Sequence, residues 1–258
     1  MKNVFLLVQT ETFFGYPMTI HSFEYCLWFA GCLSHTEIGL QKYIIKNFDT
    51  HGVFFDVGAH HGFYSLLAHR LIKLDNNLGQ IHAFEPTDTH FDILRKNTKK
   101  FDSIFLNKNA VCASAGEKTF YENIKGKSTI EKNLFKNVPS SKPSDFTNIE
   151  VSCITLDTYC AEHTVKPTFI KIDVEGSEYE VLSGGKRVLR EDGPIIAMEV
   201  WSKPYDNTNH IKAIKLLQEN KYNAFKIDDY GSESLISYSD LIASLDSVGN
   251  SNNFIFKK

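Results

Sequence analysis

Apolar positions recur along the chain in two rhythms. Residues 37–48 carry Ile38, Leu40, Tyr43, Ile44 and Phe48 at helical spacing, and the aromatic-rich residues 1–36 read as a small strand pair followed by a loop. From Val53 the rhythm becomes strand, helix, strand. Val53-Phe54-Phe55-Asp56-Val57 is a short, largely apolar run closed by Gly58, and Phe63, Leu66, Leu67 and Leu71 follow at helical spacing. Residues 80–84 predict a second strand, a helix runs on through Phe91, Leu94 and Thr98, and residues 103–111 predict a third strand. Residues 117–122 read as a short edge strand. The pattern resumes with a strand at 169–174, a helix at 177–189 opened by the Ser177/Glu180 capping box, and a strand at 194–200. A helix at 208–219 and strands at 222–227 and 253–256 complete it. Buried strands alternating with helices build an α/β fold, a mostly parallel sheet of roughly seven strands with helices on both faces.

Residues 123–150 break the rhythm. They are polar, rich in Lys, Ser, Asn and Pro, and too long for an ordinary connection. They read as a lid or substrate-facing loop, with a plain solvated connection as the alternative. The expected division is a strand and helix extension over 1–50 and a main domain over 51–258 that carries the 123–150 segment.

Composition narrows the class. The 258 residues are 42% hydrophobic and 23% charged, which excludes a disordered chain, a fibre and a disulfide-stapled scaffold. The net charge of −3 provides no basic field for a polyanion, so nucleic acid is not an expected partner. Cys26, Cys32, Cys112, Cys153 and Cys160 are odd in number and show no Cys-x-x-Cys, which suits reduced thiols of a cytoplasmic protein. No run of 18 apolar residues predicts a membrane span, and the apolar stretch at 4–8 is too short for a signal sequence.

Three strand tips carry the candidate chemistry. Asp56-Val57-Gly58-Ala59-His60-His61-Gly62 lies where the first strand turns into a helix. Glycines there admit a ligand close to the backbone, amides at the helix start can hold a carboxylate, and Asp56 can pair with an ammonium. The spacing is G-x-x-x-G, so the dinucleotide fingerprint G-x-G-x-x-G is absent. At the second tip Pro86 keeps Glu85 extended, 23 residues beyond Gly62, where an acid of a doubly wound fold binds ribose hydroxyls. At the third tip, Lys171-Ile172-Asp173-Val174-Glu175-Gly176, alternation puts Lys171 and Asp173 on one side, and Asp173 and Glu175 read as site acids. Glu178 and Glu180 read as first-turn acids favoured by the helix dipole.

These stretches resemble the FkbM-type family of S-adenosylmethionine-dependent methyltransferases. Phe55-Asp56-Val57-Gly58-Ala59, Gly62-Phe63-Tyr64-Ser65, Phe84-Glu85-Pro86, Thr155-Leu156-Asp157 and Lys171-Ile172-Asp173-Val174-Glu175-Gly176-Ser177-Glu178 carry the likeness, as does Glu199. The resemblance implies a Rossmann-like class I methyltransferase fold with an antiparallel final strand, and S-adenosyl-L-methionine as cofactor. It implies contacts to the methionine part from Asp56, Gly58 and Gly62, to the ribose from Glu85, and to the adenine from Asn109 and Ala110. Ala59, Tyr64, Pro86 and Asp173 join that cofactor-lining set. His60 stands where the family commonly has Asn.

Methyl transfer from a sulfonium is an in-line displacement with a good leaving group. Orientation, worth about 7–11 kcal/mol, therefore outweighs a general base, worth a factor of about 10²–10⁴. The acceptor implied by the resemblance is a hydroxyl on a sugar, glycan or natural-product scaffold. Asp173 ranks first as base, ahead of Glu175, His60 and His61. A divalent metal on Asp173 and Glu175, helped by Glu199 or Asp56, is possible chemistry but not favoured, and His51, His69, His82, His90 and His163 show no ligand spacing. Trp201 and Tyr205 read equally as an acceptor wall or as edge packing. A nucleotide-binding oxidoreductase and a non-catalytic adenosylmethionine-binding module stay as alternatives.

Overall fold

In the computed structural model, residues 6–22, 37–123, 128–129, 146–202, 207–246 and 252–258 are described. In chain order, β1 (Leu7–Glu11) and β2 (Pro17–His21) form an antiparallel hairpin, and α1 (Ile38–Asn47) precedes β3 (Val53–Val57). Then come α2 (Phe63–Leu74), β4 (Gln80–Phe84), α3 (Asp88–Thr98), β5 (Ile104–Asn107), β6 (Ala110–Val111), β7 (Gly116–Asn123), β8 (Ser128–Thr129) and β9 (Phe146–Ile154). The rest comprises α4 (Leu156–His163), β10 (Phe169–Ile172), α5 (Glu178–Ser183), β11 (Ile195–Val200), α6 (Thr208–Glu219), β12 (Asn223–Ile227), β13 (Glu233–Ile236), α7 (Tyr238–Ser244) and β14 (Asn252–Lys257).

Among the described residues the main sheet has eight strands in the order β13-β12-β14-β11-β10-β3-β4-β5. Strands β5, β4, β3, β10 and β11 run parallel, while β14 enters between β11 and β12 antiparallel to both. This is the expected class I methyltransferase architecture, antiparallel last strand included. Successive residues of a strand face opposite sides, so Phe55, Val57, Ile170 and Ile172 join one core with α4, α5 and α6. Phe54, Phe169 and Ala197 join the other with β2, α1, α2 and α3, where the Phe54 and Phe169 rings stack at 5.2 Å. No described helix is long and apolar enough to cross a membrane.

Four expectations about elements need correction. The strand expected at 103–111 splits: β5 stays in the main sheet, and β6 pairs with β9 in a second sheet of order β6-β9-β7-β8. The expected edge strand is β7, which pairs along its whole length with β9, so both ends of the 123–150 segment are strands; residues 124–127 and 130–145 lie outside the described residues. The helix expected at 177–189 ends at Ser183, and a π-helical turn, Val188–Asp192, follows; the Ser177 side chain does not cap it. That turn is held instead by Asp157, whose carboxylate accepts the Arg187 and Val188 amides at 2.9 and 3.0 Å. The edge strand β13 and α7 were not anticipated. Cys112, Cys153 and Cys160 are free thiols, and Cys26 and Cys32 lie outside the described residues.

Candidate functional site

The tips of β4, β3 and β10 stand side by side, with Val57 in register with Phe84 on one flank and Ile172 on the other. The chain proceeds from β3 outward to β4 and later from β10 outward to β11, so the topological switch lies between β3 and β10. The glycine turn, the Glu85-Pro86 tip and the 173–176 loop meet there.

The glycine turn is built differently from the expectation. Gly58 and Ala59 both donate their amides to the Phe84 carbonyl, at 3.0 and 2.9 Å, and Gly62 donates to the Ala59 carbonyl at 2.7 Å. Those three amides are thus spent within the protein rather than offered to a carboxylate. Gly58 has φ +78°, and a Cβ there would lie 1.8 Å from the Asp173 carbonyl oxygen. Gly62, at φ +91°, would put a Cβ 2.7 Å from Leu94 Cδ1 of α3. The protein's own packing dictates these glycines, and the close approach is that of β10 and α3. His60, at φ +51°, shares the left-handed conformation without being glycine.

An ammonium among acids occupies the switch point. Asp56 is 1% exposed; its Oδ2 accepts from the Ser65 hydroxyl at 2.7 Å and its Oδ1 lies 3.6 Å from Lys171 Nζ. Lys171 Nζ also donates to the Gly58 carbonyl at 3.0 Å, lies 3.4 Å from Asp173 Oδ2 and stands over the Tyr64 ring. Tyr64 donates its hydroxyl to Glu37 Oε2 at 3.0 Å. Burial opposes the Lys171 charge, but Asp173, Asp56 and Glu37 outweigh it and hold the ammonium above its usual pKa. Burial raises Glu37, with Asp173 adding to it, and burial with Glu37 raises Tyr64. Sequence reasoning placed Lys171 on the Asp173 side of its strand without giving it a role, and it missed Glu37 entirely.

Glu85 is buried, and its carboxylate faces the turn. Oε1 accepts from the Thr87 amide and hydroxyl at 3.1 and 2.7 Å, and Oε2 accepts from the His60 amide at 3.0 Å. Burial raises its pKa against these donors. Pro86 follows it, half-buried. Asn109 lies two residues past β5, half-buried, and Ala110 is buried in β6 opposite Cys153.

Asp173 and Glu175 lie on the third loop, where Glu175 (φ +52°) and Gly176 (φ +92°) are both left-handed. Glu178 anchors that loop from beneath. It is fully buried, its Oε1 accepts the Val174 and Gly176 amides at 3.3 Å each, and its Oε2 lies 3.0 Å from His210 Nε2. Asn209 donates to the Gly176 carbonyl at 3.2 Å. Burial pushes the Glu178 carboxyl up to about 8 against its backbone donors. It stands in the first turn of α5, as expected, and is buried in the core as an anchor of the loop. Glu180 remains on the surface side, 3.9 Å from Lys118. The Trp201 ring packs against His210, and its indole donates to Glu199 at 3.2 Å; Tyr205 lies outside the described residues.

Two further sets of buried histidines lie among the described residues. His82 and His69 are partnered by Tyr159 and Ser103, and burial lowers each to about 4. His21, His61 and His90 are 5, 1 and 3% exposed and meet one another, with His60 beside them. Burial, then His60, His90 and His21, hold His61 far below the usual imidazole range. His61 is therefore part of a buried cluster and not an accessible base, and His90, which shows no ligand spacing in the sequence, packs into the same cluster.

The model of the family described as "Methyltransferase FkbM domain" matches residues 56–224. A methyltransferase of Sordaria araneosa, sdnD, is 28% identical over 185 residues, covering 62% of this chain and 70% of that protein. Among solved structures, methyltransferase FkbM from Methylobacillus flagellatus KT is 17% identical with a TM-score of 0.49. The alignment covers 81% of this chain but only 44% of that one, so the chain spans less than half its length. Aeropyrum pernix fibrillarin, in complex with S-adenosyl-L-methionine, is 12% identical with a TM-score of 0.47, covering 100% of this chain and 84% of that one.

Proposed function

The chain belongs to the FkbM methyltransferase family, and from that premise we propose that it moves a methyl group from S-adenosyl-L-methionine to a hydroxyl of a sugar, glycan or natural-product scaffold. The observation that carries this reading is the charge balance at the switch point. Glu37, Asp56 and Asp173 surround one ammonium, Lys171, and Asp56 Oδ1 makes no hydrogen bond among the described residues. Such a set suits a ligand that carries a sulfonium and an ammonium. The bound cofactor supplies an electrophilic methyl group.

Asp56 would hold the ligand ammonium, and Gly58, Ala59, Gly62 and Tyr64 would shape the wall beside it. Glu85 Oε2, with the His60 amide as its donor among the described residues, keeps acceptor capacity for ribose hydroxyls, with Pro86 holding that tip extended. Asn109 and Ala110 would border the adenine. Asp173, partly exposed and oriented by Lys171, is the proposed base that takes the acceptor's proton, with Glu175 and His60 as the further candidates. The segment between β7 and β9 is the proposed cover for the acceptor, and the cytoplasm is the proposed compartment.

Calorimetry with S-adenosylhomocysteine and with NAD tests the cofactor, and tritiated-methyl transfer onto a glycan and polyketide panel tests the reaction. Binding of the homocysteine nucleoside alone is expected, with hydroxyl methylation of one panel class. Asp173→Asn should keep that binding and lose about 10²–10⁴ in kcat. NAD binding in its place, or normal turnover of Asp173→Asn, overturns the reading.

A further inference from the structure

Three histidines with no relation in the sequence meet behind the glycine turn. His21 ends β2, His61 lies in the turn and His90 lies in the first part of α3, with successive members 40 and 29 positions apart along the chain. One nitrogen from each lies within 4.8 Å of the other two. All three side chains are buried.

We propose that His21, His61 and His90 form a binding site for a divalent transition-metal ion of the zinc class, which fastens the β1–β2 hairpin to the glycine turn and to α3.

The donor chemistry selects the ion. Neutral imidazoles suit zinc, cobalt, nickel and copper, whereas magnesium and calcium seek oxygen, which these three rings do not offer. The geometry is close to a bound state. Nitrogens no more than 4.8 Å apart lie at most about 2.8 Å from a common centre, against a zinc–imidazole bond of about 2.0–2.1 Å, so each ring needs to close on that centre by no more than about 0.7 Å. Three nitrogens leave a fourth position, and the His60 ring stands beside it, with its centroid 3.9 Å from that of His61 and 4.1 Å from that of His90.

The surroundings have the support that a metal site needs. Glu85 Oε1 lies 4.0 Å from His90 Nδ1, so a carboxylate stands near the ring from outside the three-histidine set. Asn97 ties the three ligand-bearing elements together. Its Oδ1 accepts the Thr19 amide at 2.8 Å, and its Nδ2 donates to the Thr19 carbonyl at 3.0 Å and to the His61 carbonyl at 2.8 Å. Thr19 lies on β2, His61 in the turn and Asn97 itself on α3. The same three elements therefore carry the ligands and the polar clamp that positions them.

The test uses the full-length chain without a polyhistidine tag, dialysed against metal-free buffer. Elemental analysis is expected to find close to one zinc-class ion per chain. Cobalt(II) added to the metal-free protein should give the intense visible absorption of low-coordinate cobalt, saturating at one equivalent. Zinc in hundredfold excess over its Kd should raise the melting temperature by about 5 °C or more. His21→Gln and His90→Gln should each weaken cobalt binding at least tenfold, while His51→Gln, an exposed histidine, should leave it unchanged. A folded, metal-free wild-type chain that takes up no cobalt overturns the proposal. So does cobalt binding of equal strength in His21→Gln and His90→Gln, which would put the ion elsewhere. Should the variants fail to fold, the wild-type titration decides alone. None of these readouts involves methyl transfer, so their failure leaves the proposed reaction untouched.

Discussion

Replacing Gly58 with Ala separates two explanations of the glycine turn. If the glycine exists to admit a ligand, the variant folds normally and binds cofactor poorly. If it exists because β10 crosses it, the variant is destabilised whether or not a ligand is present. The added Cβ would sit 1.8 Å from the Asp173 carbonyl oxygen, far inside van der Waals contact. Relief requires the β3 and β10 tips to separate by more than 1 Å, roughly, which strains the Asp173 amide bond to the Val57 carbonyl (3.1 Å) and the Gly58 amide bond to Phe84 (3.0 Å). Two backbone hydrogen bonds at about 1 kcal/mol each, added to about 1–2 kcal/mol for a left-handed alanine, give about 3–4 kcal/mol. Gly15 is the control: its φ is +84°, yet nothing lies within 4 Å of its Cβ position, so Gly15→Ala costs the conformational part alone. At a urea dependence of about 3 kcal/mol/M, the unfolding midpoint falls by about 1 M for Gly58→Ala and about 0.5 M for Gly15→Ala. Equal shifts in the two variants, or an unshifted Gly58→Ala that has lost S-adenosylhomocysteine binding, refute the packing argument.

Three further predictions follow from buried polar groups. The Glu178 carboxyl rises from 4.5 to about 8 on folding, so its contribution is complete below pH 4.5 and disappears as pH rises through 8. Wild-type stability should therefore fall relative to Glu178→Gln between pH 5 and 8, by at most about 1.4 kcal/mol per pH unit; parallel urea-derived curves would refute a protonated Glu178. Lys171→Met leaves Glu37, Asp56 and Asp173 without their counter-charge and should cost about 3–5 kcal/mol at pH 7, recovering in part near pH 5; a loss independent of pH in urea titrations counts against the charge account. Asn97→Ala removes three buried hydrogen bonds and should lower stability by about 2–4 kcal/mol and speed hydrogen exchange in β2; unchanged exchange at Thr19 would show that the clamp is idle.

The parallel sheet was legible because its strands are buried on both faces. Phe54 and Phe55 face opposite cores, so the whole β3 segment reads as one apolar run, and the Pro and Gly residues that follow the strands mark their tips. Where burial is one-sided or the contacts are non-local, the pattern gave out. Strand β13, with Glu233, Ser234 and Leu235 exposed, presents no continuous apolar signal, and α7 is only seven residues long with Leu241 as its fully buried anchor. The 103–111 run contains two strands because the chain changes sheets around Lys108 and Asn109, and an apolar run is silent about which neighbour it pairs with.

The site divides along the same line. Asp56, Glu85 and Asp173 were legible because a strand tip is a local event: a run ends, a glycine or proline follows, and the acid between them is fixed in place. Glu178 was placed in the first turn of its helix, where it stands, but its part as a buried loop anchor was not legible, because its burial against His210 comes from α6, some thirty residues on. The histidine cluster is the extreme case. A metal motif is recognised when its ligands share one element at fixed spacing, as on a single helix turn. Here each ligand comes from a different element, and what assembles them is the docking of a hairpin through Asn97, a residue with no chemistry of its own to attract notice. The spacing of His21, His61 and His90 along the chain therefore carries no signal, and only the packing of β2 on α3 turns three scattered imidazoles into one donor set.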